Sequence, residues 1–240
     1  MENLLLSKNA DIAYFQNKLW PGRSGITTVN FGSCHLKKNP QEAEQNKSLV
    51  KLMGANFFCK IVPEHSDKVE FAKYFSKSNY YNCDALIFLQ KMFYNTGSWP
   101  LLLSNTADCP TIALHAGNKG TALIHSGWKG TQLNIVGKTV KLFRKNLFED
   151  SRKIFAFVYG GICGKCYEVG EEFKKYFPKQ VHRGHLDLRA IIIDQLKEAG
   201  INNIVTTDAC SMHTKHNGQY LFNSNRRDQT PKRNCVFIAY

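Results

Sequence analysis

The sequence predicts an α+β fold in which mixed β-sheets are flanked by helices. Short apolar segments typical of strands interleave with amphipathic helical segments along the chain. Some neighbouring strands are joined by tight turns, so the sheets contain antiparallel as well as parallel pairs. The chain has 240 residues, of which 43% are hydrophobic, and it contains no repeat, low-complexity tract or obvious linker. We therefore expect residues 1–240 to form one compact domain.

The first half of the chain is predicted to consist of strands around one helix. The helix begins at Asn39-Pro40 and ends near Met53, with acidic residues in its first turns and Gly54 after its C-terminus. The next strand leads into a loop, EHSDKV, that contains His65. Strands are predicted within residues 10–33, with a turn at Pro21-Gly22, and at 56–63, 84–91 and 99–106.

The second half begins with a predicted hairpin, in which residues 110–117 and 120–127 flank a turn at 118–120. A helix is expected from about Thr131 to Asn146. Its apolar residues recur three and four positions apart: Leu133, Val136, Val140 and Phe143. Further strands are predicted at 154–161, 203–208 and 233–240, and further helices at 171–177 and 189–199.

The charge of the protein is strongly positive. There are 32 Lys and Arg residues against 19 Asp and Glu residues, which gives a net charge of +13. Such a surplus favours anionic partners. The basic residues are spread along the chain, and no nucleic-acid-binding motif accompanies them. We therefore expect a solvated basic surface without a dedicated nucleic-acid partner.

The eight cysteines bear on the compartment and on metal binding. The N-terminal residues show neither the basic leader nor the apolar region of a secretory signal. No apolar run approaches the roughly 20 residues of a membrane span. We therefore expect a cytoplasmic protein that does not cross a membrane, in which the cysteines are free thiols or metal ligands rather than disulfides.

Three residues at predicted strand ends or in loops are the best candidates for a catalytic metal centre: His65, Cys109 and His125. A catalytic zinc usually has three protein ligands and one open position. Spacing alone leaves the assignment open, because a histidine near a strand end is often an ordinary polar residue. Cysteine, in turn, is often buried for packing alone.

The neighbours of these residues suggest further roles. Asp108 precedes the cysteine, and its carboxylate is predicted either to hold a ligand imidazole or to act as a catalytic acid and base. Gly127 and Gly130 allow a close approach of the backbone where strand becomes helix. Trp128 is a candidate for stacking on a flat substrate, although a role in the core is at least as common for tryptophan.

Basic residues near the predicted site are candidates for phosphate binding. A helix beginning near Thr131 would present free N–H groups beside Lys129. Arg23, beside the turn at Pro21-Gly22, is a further candidate if its loop folds back over the site. Within the segment SNRRDQTPKR we select Arg227, because arginine binds phosphate with two parallel hydrogen bonds. That segment also contains Arg226, Lys232 and Arg233.

A second set of residues competes for metal. Cys163 and Cys166 form a CxxC pair, and Cys210 and His213 form a CxxH pair. Together they have the composition of a structural zinc site with three cysteines and one histidine. The alternative is that the first two cysteines are incidental members of a glycine-rich turn. A redox-active CxxC is less favoured, since this pair does not open a clear helix.

Several motifs in order resemble those of the laccase-domain family of purine nucleoside phosphorylases. Members of this family were formerly known as multicopper polyphenol oxidases, and bacterial members are also described as peptidoglycan editing factors. IHSGWKG resembles the family's HAGWRG signature, and EHSDKV resembles its QVHG segment. Further landmarks occur in the family's order: TADC at 106–109, CYEVG at 166–170, HLDL at 185–188 and RRD at 226–228.

The resemblance implies a zinc ion on His65, Cys109 and His125, and so favours this trio over the second set. It implies phosphorolysis of adenosine, inosine and methylthioadenosine, together with deamination of adenosine. Purine nucleosides and phosphate are then the substrates. We expect Cys109 and His125 to be catalytic, together with Asp108, which is the nearest candidate in the sequence for the acid and base. It also implies an α+β fold with mixed sheets.

Two departures from the family pattern lie beside the predicted metal site. Pro110 directly follows Cys109, and Lys129 replaces the arginine of HAGWRG, which keeps the charge but loses the planar guanidinium. The segments YGGICGKC and QTPKR also differ from the family's usual glycine-containing forms. These changes affect the expected choice of substrate more than metal binding.

Two other activities remain as alternatives. One is peptidoglycan editing, the hydrolysis of a nucleotide-linked muramyl precursor, with Cys109 as nucleophile and His125 as base. The other is copper-dependent phenol oxidation. It is less favoured, because a blue-copper centre uses two histidines, a cysteine and a weak axial methionine, and the methionines are distant from the trio in the sequence.

Overall fold

Two stacked β-sheets carry the predicted metal ligands. The computed structural model describes residues 3–34, 40–73, 77–93, 97–147 and 153–239. The first sheet has seven strands in the order β1-β2-β3-β17-β8-β4-β6. It is mixed, because β4 pairs in parallel with β8 and β6 while the remaining pairs are antiparallel. Its strands are β1 (Leu4–Leu6), β2 (Ile12–Phe15), β3 (Arg23–Thr27), β4 (Phe57–Val62), β6 (Asn79–Asn82), β8 (Pro100–Thr106) and β17 (Asn234–Ala239).

The second sheet has six strands in the order β14-β11-β9-β10-β7-β5. It is also mixed, with parallel pairs at both edges and antiparallel pairs in the centre. Two small hairpins accompany the sheets: β12 (Val181–His182) with β13 (His185–Leu186), and β15 (Lys215–His216) with β16 (Gln219–Tyr220). The six strands are β5 (Val69–Phe71), β7 (Ala85–Leu89), β9 (Thr111–His115), β10 (Gly120–His125), β11 (Phe155–Tyr159) and β14 (Asn203–Thr206).

Five α-helices lie among the described residues: α1 (Pro40–Leu52), α2 (Trp128–Gln132), α3 (Ile135–Leu147), α4 (Leu188–Glu198) and α5 (Asn225–Asp228). Helix α1 covers the outer face of the first sheet, and α3 and α4 cover the outer face of the second. Side chains of both sheets meet between them, among them Leu102, Leu123 and Phe157. The alternation along β8 shows this layering, since Leu102 faces the inter-sheet core while Leu101 and Leu103 face α1. The predicted α+β class with mixed sheets is confirmed.

The structure corrects two predicted helices. The helix expected from Thr131 begins at Trp128, ends at Gln132 and resumes at Ile135. The break occurs because Asn134 adopts a left-handed conformation (φ 53°) and its side chain accepts a hydrogen bond from the N–H of Gly137, which caps α3. Leu133 is consequently 49% exposed rather than buried. The segment 171–177 forms a short 3-10 helix over Glu171–Lys175 instead of an α-helix.

Other local predictions are confirmed. The hairpin of β9 and β10 has the expected antiparallel pairing around 117–119. Gly54 and Gly200 follow α1 and α4 with φ values of 65° and 82°, as glycine does after a helix. Asp187 of the HLDL motif caps α4 by accepting a hydrogen bond from the N–H of Ala190. No helix in the described ranges is long and apolar enough to cross a membrane.

Candidate metal centre

His65, Cys109 and His125 lie together. Their ligand atoms are all within 4.8 Å of one another. The two imidazole rings meet edge to face, with 5.3 Å between their centroids. His125 is buried, Cys109 is partly buried and His65 is exposed, so the group extends from the protein interior to solvent. We call these three residues the His-Cys-His centre.

Strand pairing explains how residues distant in sequence reach one place. In the hairpin, His125 pairs with Thr111, and Cys109 comes only two residues before that position. In the first sheet, β4 and β8 run in parallel, so their C-terminal ends lie at the same edge. The loop after β4 contains His65, and the segment after β8 contains Cys109. Both sheets therefore deliver ligands to one point.

The carboxylate of Asp84 positions two of the three ligands. It lies 3.0 Å from Nδ1 of His125 and accepts hydrogen bonds from the backbone N–H groups of Glu64, His65 and Ser66 at 3.2, 3.1 and 2.8 Å. These bonds hold the loop in which His65 adopts a left-handed conformation (φ 55°). Because a carboxylate accepts the Nδ1 hydrogen of His125, Nε2 remains available as a ligand. Asp84, just before β7, thus performs the imidazole-holding role that the sequence suggested for Asp108.

The ionisation of the centre favours a bound cation. Burial raises the pKa of Cys109, but the neighbouring His125 and His65 outweigh it and lower that pKa to about 6. Burial lowers the pKa of His125, but the Cys109 thiolate and Asp84 outweigh it and raise that pKa to about 9. Near neutral pH the metal-free pair is therefore a thiolate beside an imidazolium. A metal cation that replaces the imidazolium proton would meet a ligand set that already carries negative charge.

Gly127 leaves room at the middle of the centre. A Cβ atom at this position would lie 3.1 Å from Sγ of Cys109, 3.7 Å from Cδ2 of His65 and 3.8 Å from Cε1 of His125. Any larger residue would therefore crowd the space between the three ligands. One sulfur and two imidazole nitrogens, with space between them and a carboxylate behind one ring, fit a zinc ion with three protein ligands.

The His-Cys-His centre opens into a cavity of about 270 Å³. Larger cavities, of about 880 and 800 Å³, lie elsewhere and contain none of the three ligands. We identify the site by its chemistry rather than by its size. Other residues that line this cavity are Asn105, Asp108, Tyr167, Asn225, Arg226 and Arg233.

Asp108 forms part of the cavity wall in a fixed orientation. Its backbone is left-handed (φ 83°), and its two carboxylate oxygens accept hydrogen bonds from the Ser211 hydroxyl at 2.6 Å and the Arg226 backbone N–H at 2.7 Å. Its carbonyl accepts a hydrogen bond from the N–H of Ile162 at 2.8 Å. The structure therefore places Asp108 beside the metal ligands, facing the same cavity.

Arg227 does not provide the predicted phosphate contact. Its guanidinium donates to both carboxylate oxygens of Asp228 and to the carbonyls of Ser211, Met212 and Phe222. These five bonds use all five N–H groups of an arginine side chain. The guanidinium also lies 3.8 Å above the ring of Tyr220. Arg227 therefore holds a loop together and has no donor left for a substrate.

Arg23 also lies away from the centre. It pairs with Ala239 at one end of β17, whereas Asn234, at the other end, pairs with Thr106 next to the site. Five residues of strand separate these ends, a distance of about 17 Å. The loop at Pro21-Gly22 does not line the cavity described above.

Trp128, Lys129 and Thr131 do not line the cavity. Trp128 contacts the rings of Phe173 and Tyr176, with centroid distances of 5.2 and 5.3 Å, and the Lys129 ammonium lies 5.6 Å from the Trp128 ring. The N–H of Thr131 donates to the carbonyl of Gly127 at 2.9 Å. The prediction of free N–H groups at Thr131 is therefore wrong, because the helix begins three residues earlier.

Arg226 and Arg233 are the cationic residues that line the cavity. The Arg226 guanidinium lies 5.4 Å from the Tyr167 ring and donates to the carbonyl of Glu168. Arg233 is half-buried and interacts electrostatically with Cys109 and Asp108. The basic segment SNRRDQTPKR was the sequence signal for both, but it could not show which of its cations face the site.

A sequence comparison identifies the protein family. Residues 22–240 match the family described as multi-copper polyphenol oxidoreductase laccase. The chain belongs to this family. The resemblance inferred from the ordered motifs is thereby confirmed.

Two relatives and two solved structures resemble this chain. A purine nucleoside phosphorylase of Campylobacter jejuni is 35% identical over 112 residues, which are 45% of this chain and 47% of the relative. A purine nucleoside phosphorylase of Aquifex aeolicus is 34% identical over 109 residues, which are 44% of this chain and 49% of the relative. The matched region thus spans about half the length of each relative.

The solved structures share the fold along the whole chain. The hypothetical protein YfiH of Bacillus licheniformis has a TM-score of 0.77 at 18% identity, covering 99% of both chains. YlmD from Geobacillus stearothermophilus has a TM-score of 0.78 at 19% identity, covering 99% of this chain and 98% of that one. At such identities the likeness establishes the fold alone.

Proposed function

We propose that this protein is a zinc-dependent purine nucleoside phosphorylase that also deaminates adenosine. The observation that carries the proposal is one cavity in which the His-Cys-His centre faces Asp108 and two arginines. Such a cavity combines a set of candidate metal ligands, a carboxylate and two cationic side chains. The names of the two relatives support the phosphorylase activity. The proposed substrates are adenosine, inosine and methylthioadenosine, together with phosphate.

His65, Cys109 and His125 would hold the zinc ion. When bound, zinc would supply Lewis-acid stabilisation of negative charge that develops on the substrate. Asp84 keeps Nδ1 of His125 protonated and fixes the orientation of the ring. The same carboxylate fixes the backbone of the loop that carries His65. Asp84 is therefore a positioning residue of this centre.

Arg233 and Arg226 are the proposed phosphate-binding residues. The described hydrogen bonds of Arg233 use Nη1, which donates to the carbonyls of Thr230 and Lys232 at 2.8 Å each. This arrangement leaves Nε and Nη2 to donate to phosphate. In phosphorolysis, a phosphate oxygen forms a bond to C1′ while the C1′–N9 bond breaks, and the electron pair passes to the purine. The arginines orient the phosphate for this attack.

Asp108 is the proposed proton carrier of both reactions. In deamination, water and adenosine give inosine and ammonia, so one group must take a proton from water and pass one to the leaving nitrogen. In phosphorolysis the departing purine also takes up a proton. The bonds from the Ser211 hydroxyl and the Arg226 backbone N–H fix the Asp108 carboxylate in the wall of the cavity.

A second function is favoured by one specific observation. The Cys109 pKa of about 6 and the adjacent His125 also suit a thiolate nucleophile with an imidazolium acid. This chemistry would serve the alternative of peptidoglycan editing. The thiolate would attack an amide carbonyl, the C–N bond would break, and the leaving amine would take the His125 proton. Water would then give a proton to His125 and cleave the Cys109 thioester, which releases the acid and restores the thiolate. A copper oxidase is less well supported, because no methionine is among the described residues that line this cavity.

Product analysis distinguishes these activities. The purified protein is incubated with each nucleoside, with and without phosphate. A free base with ribose 1-phosphate identifies phosphorolysis, whereas inosine formed from adenosine identifies deamination. Free ribose would instead indicate hydrolysis. The proposal fails if zinc-loaded protein releases no base and metal-free protein cleaves the muramyl precursor in a reaction that alkylation of Cys109 abolishes.

A variant pair tests the phosphate site. Arg233→Gln removes the donors that face the cavity, and we expect the KM for phosphate to rise about tenfold or more, since a charge-assisted hydrogen bond contributes about 1.5–3 kcal/mol. Lys232→Gln changes an exposed neighbour and serves as the matched control. Equal effects of the two changes would show that only the general positive charge matters.

A further inference from the structure

A second cluster of soft ligands lies behind the wall of the cavity. Cys163, Cys166, Cys210 and His213 place their ligand atoms within 4.8 Å of one another. The Nδ1 atom of His213 lies 3.2 Å from Sγ of Cys166 and 4.0 Å from Sγ of Cys163. These are the CxxC and CxxH pairs of the sequence. We call them the Cys3His cluster.

Each pair is presented by a tight turn. The N–H groups of Cys166 and Tyr167 donate to the carbonyl of Cys163 at 2.9 and 3.0 Å. The N–H of Thr214 donates to the carbonyl of Cys210 at 3.0 Å, and the hydroxyl of Thr214 accepts a hydrogen bond from the N–H of Cys210. In both turns, the residues three positions apart direct their side chains to the same side. This is the local geometry by which short-spaced cysteine and histidine pairs bind zinc.

The two turns are bonded to each other. The N–H of Ser211 donates to the carbonyl of Gly161 at 2.9 Å, and the N–H of Cys163 points at Sγ of Cys210 at 3.2 Å. These contacts hold the two turns, and with them the four donors, close together.

Packing and disulfide formation do not explain the cluster. Cys163 and Cys210 are buried beside Ile162, but Cys166 is only partly buried and His213 is exposed. A purely apolar role would not require an imidazole nitrogen directed at sulfur. All three cysteines are free thiols, and any disulfide among them would leave one unpaired. Three sulfurs and one nitrogen are the ligand composition of a closed structural zinc site.

We propose that Cys163, Cys166, Cys210 and His213 bind a structural zinc ion, separate from the ion of the His-Cys-His centre. Four protein ligands leave no position for a substrate, so this ion would be structural. Thiolate-rich tetrahedral sites favour zinc over magnesium or calcium.

The position of the cluster suggests a structural role for the ion. Asp108, on the cavity wall, receives one hydrogen bond from each of the two bonded segments. Ile162 donates from the CxxC segment, and Ser211 donates from the CxxH segment. Tyr167, next to Cys166, lines the same cavity. Zinc at the Cys3His cluster would therefore clamp the two segments that orient Asp108.

Metal content of the purified full-length protein tests the proposal. Elemental analysis after gel filtration should give two zinc ions per chain for the wild type and one for Cys109→Ala, which damages only the first centre. His213→Gln and Cys166→Ser should each lose one zinc ion. His216→Gln replaces another exposed histidine three positions further on and should lose none.

Two further measurements distinguish the loss of a zinc ligand from a folding defect. In Cys109→Ala, X-ray absorption should show about three sulfurs near 2.3 Å and one nitrogen near 2.0–2.1 Å around the remaining zinc. His213→Cys should retain the ion, because four cysteines also form a structural zinc site. Retention by His213→Cys and loss by His213→Gln would show a ligand role rather than a folding defect.

The proposal is overturned if Cys109→Ala carries no zinc, or if its zinc survives both His213→Gln and Cys166→Ser. It is also overturned if thiol titration of the purified protein reveals a disulfide among the three cysteines. None of these measurements depends on enzymatic activity, so they stand whether or not the proposed phosphorylase function is correct.

Discussion

The His-Cys-His centre and the Cys3His cluster both combine cysteine sulfur with histidine nitrogen, but different parts of the fold present these atoms. The first draws one ligand from each of three separate segments, and a buried carboxylate, Asp84, supports two of them. It offers three donors and opens into a cavity. The second draws its donors in pairs from two tight turns and offers four of them.

This comparison shows how one fold can build both an open site that faces a cavity and a closed site that joins two loops. Ligands placed at the ends of strands from both sheets can face a cavity, because the rigid strands fix them without surrounding the ion. Ligands on two short turns approach one another closely and complete the coordination themselves. One site therefore suits catalysis, whereas the other suits cross-linking of loops.

The largest expected effect is the loss of activity when the His-Cys-His centre, rather than the Cys3His cluster, is damaged. Cys109→Ala should lower kcat/KM about 1,000-fold, because Lewis-acid stabilisation contributes several kcal/mol. His213→Gln should lower kcat/KM less than about tenfold. It should reduce Tm by about 5–10 °C. Losing a bound zinc ion that is present at 100 times its Kd lowers the free energy of unfolding by about 2.7 kcal/mol. Steady-state kinetics and thermal unfolding measure both, and equal losses of activity would remove the distinction.

Zinc affinity of the His-Cys-His centre should depend steeply on pH. The pKa values of His125 and Cys109 without metal are about 9 and about 6. Between these values, binding zinc displaces the proton of His125, so affinity should rise about tenfold per pH unit from these two groups. Below pH 6 the Cys109 proton must also leave, and the change becomes about a hundredfold per unit.

Chelator competition with Cys166→Ser isolates this site, because the variant removes a ligand of the other cluster. Affinity that stays constant between pH 6 and 9 would contradict the thiolate–imidazolium pair.

Asp84→Asn should weaken zinc binding and activity by about 10- to 100-fold, as is usual when the hydrogen-bond partner of a ligand histidine is removed. The amide keeps the size of the side chain but loses the charge that attracts the His125 Nδ1 hydrogen. Asp67→Asn is the matched control in the loop that contains His65, where the Asp67 carboxylate is bonded to Lys138 at the surface. Zinc in the Cys3His cluster should remain unchanged in both variants.

Gly127→Ala should have the smallest effect, a weakening of zinc binding by about tenfold or less. The backbone there has φ of −66°, which alanine adopts freely, so the effect comes from the methyl group 3.1 Å from Sγ of Cys109. Gly127→Ser should weaken binding further because it adds an oxygen at the same place. Isothermal titration with zinc compares the two variants, and equal affinities for both and the wild type would show that the space is not critical.

Local patterns predicted most strands at the centres of the two sheets and the central hairpin, but they missed β5 and β6. Apolar runs and turn residues act over a few positions, so the sequence specifies the predicted elements directly. The helix break at Asn134 escaped prediction because the apolar spacing continues through it. Arg226 and Arg227 are neighbours on the one-turn helix α5, where successive side chains point about 100° apart. Which of them reaches the cavity depends on how that helix packs.

The α+β class was predicted from the interleaved strand and helix patterns alone. Residue types and short spacing singled out the Cys3His cluster, whereas His65, Cys109 and His125 were favoured by the ordered family motifs, because their spacing alone left the assignment open. Asp84 behind His65 and His125 emerged only from the tertiary structure, since no local pattern links a strand-start aspartate to a loop and to another strand end. Tertiary packing also joins the CxxC and CxxH pairs. Strands β11 and β14 run in parallel, with Val158 beside Thr206, so the turns that follow them emerge at the same edge of the sheet.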